Sequence, residues 1–138
     1  MSRPARTKPL ILVAEDDSAG RELVVEILDI AGFATIEAQD GHEALEKADE
    51  LVPDAIVVDW SMQGVDGVEV TRRLKASPRT EHIVILFLTG HVQHDDRARA
   101  VTAGCDAFLT KPCLPDVLVR EVKRLLEAPS DDREFGGA

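Results

Sequence analysis

A chain of 138 residues is long enough for one domain with a real hydrophobic core and too short for two ordinary ones. With 26 acids against 16 bases, a net charge of -10 and 44% hydrophobic residues, the composition is that of an acidic globular protein. It argues against direct binding to nucleic acid, whose phosphates select basic surfaces. The apolar run behind the short basic N-terminus, Leu10 to Ala14, is too brief for a signal peptide or a membrane span. Cys105 and Cys113 form neither a CxxC nor a Cys/His metal pattern, so reduced thiols and a cytoplasmic location are expected.

Leu10 to Ala14 is a continuous apolar run, the signature of a strand buried on both faces. Ser18 offers a helix cap, and Val24, Ile27, Leu28 and Ala31 recur at helical spacing until Gly32. Phe33 to Ala38 predicts a second strand, Asp40-Gly41 a turn, and Ala44, Leu45, Ala48, Leu51 and Val52 one face of a second helix. Pro53-Asp54 ends that helix, and Ala55 to Val58 is a third strand. A loop through Gly64 and Gly67 leads to a helix holding Val70 and Leu74 that stops near Ser77-Pro78. Ile83 to Leu88 predicts a fourth strand, and a helix with few large apolar residues follows over about Asp95 to Ala103. Ala107 to Leu109 makes a short fifth strand, and Pro115 opens a last helix with Leu118, Val122, Leu125 and Leu126 on one face. Residues 1–8 are taken as a short N-terminal extension, 9–127 as the domain, and the polar residues 128–138 as a disordered tail.

Five strands alternating with five helices require a parallel α/β sheet, covered on both faces and joined by right-handed crossovers. In such sheets sites form beyond the carboxyl ends of the strands, where the strand order reverses. Glu15 and Asp16, Asp59, Thr89 and Lys111 all fall at that edge. Each alone has an ordinary structural role as a turn, cap or loop residue; their order on one topology is what points to chemistry. Crowded carboxylates call for a compensating cation, and hard oxygen donors suit Mg2+. A carboxylate can also attack a phosphoryl group to give an aspartyl phosphate, with Lys111 supplying charge and Thr89 a hydroxyl.

Five motifs carry a resemblance: Val13-Ala14-Glu15-Asp16-Asp17, Val57-Val58-Asp59-Trp60-Ser61-Met62, Asp66-Gly67, Leu88-Thr89-Gly90 and Ala107-Phe108-Leu109-Thr110-Lys111-Pro112. Together they resemble the receiver domain of bacterial two-component response regulators, and the chain is similar to the free-standing chemotaxis type from about Leu10 to Leu126. The resemblance implies a flavodoxin-like doubly wound sheet in the order 2-1-3-4-5. It implies that Asp59 accepts a phosphoryl group from a histidine kinase or histidine phosphotransfer protein. Asp16, Asp59 and the Ser61 carbonyl would bind Mg2+ directly, with Glu15 acting through water and Asp17 only a neighbour. Thr89 and Lys111 would contact the phosphoryl oxygens, Pro112 would be cis, and Ser61 and His91 would set the lifetime of the phosphoryl group. Phe108 would be a switch residue that follows Thr89, changing a partner-binding face around the fourth helix, fifth strand and last helix in a monomer or a phosphorylation-linked dimer.

Gln63 stands where the family usually has proline and Val65 where it often has methionine, which bears on the rate or lifetime of phosphorylation. His91 and His94 with Asp95 and Asp96 are better taken as a solvated loop and helix start than as a metal cluster, and Arg97 and Arg99 as part of a mixed, exposed face. Two other functions compete with a signalling switch that carries no output domain. An aspartyl-phosphate phosphatase would place a second acid where Ser61 stands, and a receiver-like scaffold would not turn over phosphate. Flavin binding is disfavoured because the loop after the first strand carries Glu15-Asp16-Asp17 rather than phosphate donors.

Overall fold

The computed structural model describes residues 6–90 and 96–127. Its elements alternate as expected: β1 (Leu10–Ala14), α1 (Ser18–Ile30), β2 (Ala34–Ala38), α2 (Gly41–Leu51), β3 (Ala55–Val58), α3 (Gly67–Lys75), β4 (Val84–Thr89), α4 (Asp96–Ala103), β5 (Ala107–Thr110) and α5 (Pro115–Glu127). The sheet is wholly parallel in the order β2-β1-β3-β4-β5. The order reverses between β1 and β3, so a crevice opens beyond their C-terminal ends.

Period-two alternation divides the core. Leu12, Ile56, Ile85 and Phe87 face one side, where α2, α3 and α4 pack on them. Ile11, Val13, Val57, Leu86 and Leu88 face the other and meet Val24 and Leu28 of α1 and Leu118, Val122 and Leu125 of α5. Every residue of β3 and β4 is buried, which is why these runs are uninterrupted in the sequence.

Helix ends account for most departures from the expected boundaries. The cap of α1 is Asp17, not Ser18: its carboxylate accepts from the Gly20 N–H at 2.9 Å. Asp40 is likewise a cap rather than a turn residue, accepting from Glu43 N–H at 2.8 Å while Glu43 accepts from Gln39 N–H at 2.8 Å. At the end of α1, Gly32 adopts φ +99, and the N–H groups of Gly32 and Phe33 return to the carbonyls of Asp29 and Leu28. Phe33 is thereby committed to closing the helix, so β2 begins at Ala34. Ile83 similarly bonds back to Thr80, so β4 begins at Val84, whose N–H donates to Asp54.

The expected tail and most of the N-terminal extension lie outside the described residues, as do His91, His94 and Asp95. Arg6 of the extension is tied to the domain, pairing with Asp54 at 3.4 Å and donating to the Leu51 and Val52 carbonyls. Among the described residues, no helix is long and apolar enough to cross a membrane.

Candidate functional site

Beyond the strand ends, backbone bonds set the positions of the acids before any side chain is considered. Glu15 N–H donates to the Ala38 carbonyl at 3.1 Å and Asp59 N–H to the Ala14 carbonyl at 3.1 Å, so the ladders run one residue past β1 and β3. Lys111 N–H donates to the Thr89 carbonyl at 2.9 Å, fixing the β5 end against β4. The Lys111-Pro112 bond is cis, as the resemblance implied. Arg21 steadies the first of these loops. Its guanidinium donates to the Glu15 carbonyl at 2.8 Å and to the Glu37 carboxylate at 3.0 Å.

These constraints bring Glu15, Asp59, Thr89 and Lys111 together. Asp59, only 9% exposed, has both carboxylate oxygens held: Oδ1 accepts from Thr89 Oγ1 at 2.8 Å and from Ser61 N–H at 3.2 Å, and Oδ2 accepts from Lys111 Nζ at 2.8 Å. The Lys111 ammonium also donates to the buried Glu15 carboxylate, so one cation bridges two acids. Asp16, next in the chain to Glu15, is exposed, and so is Ser61, two residues beyond Asp59. Beside the cluster lies a cavity of about 10 Å³ lined by Val13, Val24, Val57 and Leu88 with Glu15, Asp59 and Lys111, the size of a single water site.

The electrostatics follow from this geometry. Burial pushes the Asp59 carboxyl up, but the hydrogen bonds it accepts from Lys111 and Thr89, together with the Lys111 charge, outweigh it and hold Asp59 below the ordinary carboxylate value. Burial also raises Glu15, and the neighbouring Asp59 adds to that against the opposing pull of Lys111. Burial would lower Lys111, but its two acidic partners reverse the effect and keep it firmly charged. The cluster therefore holds an ionised, hydrogen-bonded Asp59, the form a nucleophile needs.

Among the described residues, no group of three acid, His or Cys side chains is close enough to enclose a metal by itself. The donor chemistry nevertheless fits a hard divalent cation. Glu15, Asp16 and Asp59 supply three carboxylates against the single Lys111 ammonium, leaving about two negative charges, and Mg2+ typically takes one or two carboxylates and keeps several waters.

Comparison with known proteins gives the family. The response regulator receiver domain pattern matches residues 11–123. The chain belongs to that family. It is 35% identical over 116 residues to the phosphate regulon transcriptional regulatory protein PhoB of Escherichia coli (strain K12), covering 84% of this chain and 51% of PhoB. Thus the chain spans about half the length of the curated relatives it matches. Among solved structures it is similar to the chemotaxis protein CheY4 of Vibrio cholerae, with TM-score 0.81, 27% identity and coverage of 86% and 99% of the two chains. It is also similar to the receiver domain of a signal transduction histidine kinase from Syntrophus aciditrophicus, with TM-score 0.81, 34% identity and coverage of 88% and 96%. A transcriptional regulator, a chemotaxis protein and a kinase all share this domain, so membership in the family fixes the fold and leaves the output open.

Several residues around the receiver site escaped the sequence reading. Arg21 braces Glu15 through the Glu15 backbone carbonyl. Gly41, at the start of α2, lets the Val65 carbonyl come so close that a Cβ on Gly41 would sit 1.9 Å from it. Trp60, next to Asp59, packs edge-on against Phe87 at 5.8 Å, and Phe87 stacks on the half-buried Phe108 at 5.9 Å and 9°. Arg99 was expected on a mixed, exposed face. It is exposed, but its guanidinium lies over the Trp60 ring, 5.1 Å from the centroid.

Proposed function

We propose that this receiver domain is a phosphorylation-dependent signalling switch in which Asp59 is the phosphoacceptor. The observation that carries the reading is the hydrogen-bonding of both Asp59 oxygens by Thr89, Ser61 N–H and Lys111, each placed by a strand end or the loop leaving it. In the proposed step an Asp59 carboxylate oxygen attacks the phosphorus of a phosphohistidine. The O–P bond forms as the N–P bond breaks, and the imidazole nitrogen leaves with the electron pair. Lys111 then pairs with a phosphoryl oxygen, and the Thr89 hydroxyl transfers its hydrogen bond from Asp59 to another.

Mg2+ would be held by Asp16, Asp59 and the Ser61 carbonyl, with Glu15 acting through water, and would screen the acids from the incoming phosphoryl group. The donor is a histidine kinase or histidine phosphotransfer protein. Exposed Leu23 on α1 and Leu114 at the entrance to α5 support docking there, since they stand on the elements that leave from Glu15 and Lys111. Ser61, which is exposed, and His91, outside the described residues, are proposed to set the lifetime of the phosphoryl group. The added charge, about -1.5 to -2 at pH 7, would draw Thr89 and Lys111 towards it and release Phe108 to move, altering a downstream protein's binding face around α4, β5 and α5.

The test is intact-mass analysis after acetyl phosphate and Mg2+, with beryllofluoride binding followed in parallel. Wild type should gain one phosphoryl group and bind beryllofluoride only with metal, and Asp59→Asn should do neither. A wild type without adduct and without metal-dependent beryllofluoride binding rules the switch out.

A further inference from the structure

The β3–α3 loop and helices α3 and α4 enclose an open groove formed by two adjoining cavities of about 420 and 260 Å³, which share Val68, Arg72 and Arg99. Val68 and Ala103 give the groove its small aliphatic part; Arg72 and Arg73 line the α3 bank together with Asp66 and Glu69, and Arg99 lines the α4 bank, so three guanidinium groups stand against two carboxylates. On a chain of net charge -10 this concentration of guanidinium is anomalous. Glu69 is shared between Arg72 and Arg73, so one carboxylate serves two cations. Arg99 has no carboxylate partner among the described residues; its guanidinium carbon lies over the Trp60 ring instead. A guanidinium resting over a ring in this way has fewer arrangements to give up on binding, and its edge can engage a carboxylate with two parallel N–H donors.

We infer that this groove is a docking site for an acidic polypeptide segment, whose carboxylates pair with Arg72, Arg73 and Arg99 while small aliphatic side chains rest on Val68 and Ala103. A polypeptide fits better than a nucleotide. Trp60 is buried beneath Arg99, and among the described residues no aromatic side chain lines the groove for a base to stack on. The donors also stand on two separate helices instead of converging on one phosphate-sized point. The groove shares α4 with the face proposed to respond to phosphorylation but opens on the α3 side of that helix, and occupying it requires no phosphoryl group.

The test uses the full unphosphorylated chain titrated with a short peptide alternating Glu and Ala, followed by amide chemical shifts and by emission of Trp60, the single tryptophan. Saturable shifts centred on Val68, Arg72, Arg99 and Ala103, absent with the matching Gln/Ala peptide and weakened about tenfold in Arg99→Gln and in Arg72→Gln, are expected. Arg124→Gln on α5 should bind like wild type. The inference is overturned if the Glu/Ala peptide gives no saturable shift, if its affinity is unchanged in both groove variants, or if Gln/Ala binds equally well. It is also overturned if inorganic phosphate or a short oligonucleotide displaces the peptide at lower concentration than free glutamate does, which would reassign the groove to phosphates.

Discussion

Gly41→Ala separates two physical effects by sign. On intrinsic grounds Ala is the better helix residue at the start of α2 and should stabilise the chain by about 0.5–1 kcal/mol. The structure predicts the opposite. A Cβ at this position would lie 1.9 Å from the Val65 carbonyl oxygen and 2.8 Å from its carbon, where real contacts stay above 3.0 Å. The loop or the helix must therefore give way by about 1 Å, and overpacking of this kind costs typically about 1–3 kcal/mol.

The displaced loop is the one that leads away from Asp59. Gly67 N–H donates to the Trp60 carbonyl at 3.0 Å, closing the loop, and Ser61 N–H reaches back to Asp59. Moving Val65 should thus disturb Ser61 and lower metal-dependent beryllofluoride affinity about tenfold, a near-attack geometry being sensitive to shifts of this size. Urea unfolding monitored by Trp60 measures the first effect, and beryllofluoride titration the second. A Gly41→Ala protein as stable as wild type, with unchanged beryllofluoride affinity, would show that the close approach of α2 to this loop does not position the site.

Lys111→Met should abolish beryllofluoride binding in the same titration. It should also cost about 1–2 kcal/mol in urea unfolding, less than a fully buried pair because Lys111 is 35% exposed. Thr89→Val, nearly equal in shape, should weaken beryllofluoride binding about tenfold or more while Asp59 remains in place, as an unchanged backbone amide spectrum around β3 would show. Cys105 is buried and its thiol is pushed up from about 9 to about 12 chiefly by burial, with Asp106 adding to it. Its contribution to stability is complete below about pH 9 and disappears as pH rises towards 12, a difference of up to roughly 4 kcal/mol. Cys105→Ala should therefore have the flatter stability profile over that range, and a native thiol assay at neutral pH should leave Cys105 unmodified; parallel profiles would refute the assignment. Phe87→Leu should cost about 1–2 kcal/mol and leave beryllofluoride binding intact while reducing the change it causes in the amide shifts of β5; an undiminished response would remove Phe87 from the path.

The strands and helices were legible because each is a run with one period, and the four strand-end residues were legible because topology places strand ends together whatever the side chains do. The caps were harder. Asp17 and Ser18 are adjacent cap formers, and only the geometry of the Gly20 N–H decides between them. Contacts between elements left no trace at all. Arg99 lies on α4 and Trp60 in the loop after β3, and the closeness of Gly41 to Val65 depends on how α2 is seated. The resemblance supplied the cis Lys111-Pro112 bond and the strand order, which periodicity does not contain.

The aromatic contacts bear on how a change at Asp59 could reach the surface. Phe87 and Phe108 are register partners across β4 and β5, and Trp60 leaves the end of β3, so Arg99, Trp60, Phe87 and Phe108 form a continuous packed row across α4 and the sheet. Phe87 is fully buried and Thr89 lies two residues along the same strand. A close-packed interior does not deform continuously, so if Phe108 leaves its stacked position, either Phe87 keeps an exposed face or its neighbours repack to cover it. The first outcome loses aromatic contact worth about 0.5–1.5 kcal/mol beyond buried area. The second moves Trp60 and, with it, the guanidinium of Arg99. The row runs from Arg99 on α4, which lines the proposed peptide groove, to Phe108 on β5, and it passes the proposed phosphoacceptor at Trp60, the residue covalently next to Asp59. Occupancy of that groove and the position of Phe108 would then be linked reciprocally, each favouring the packing in which the other is most stable.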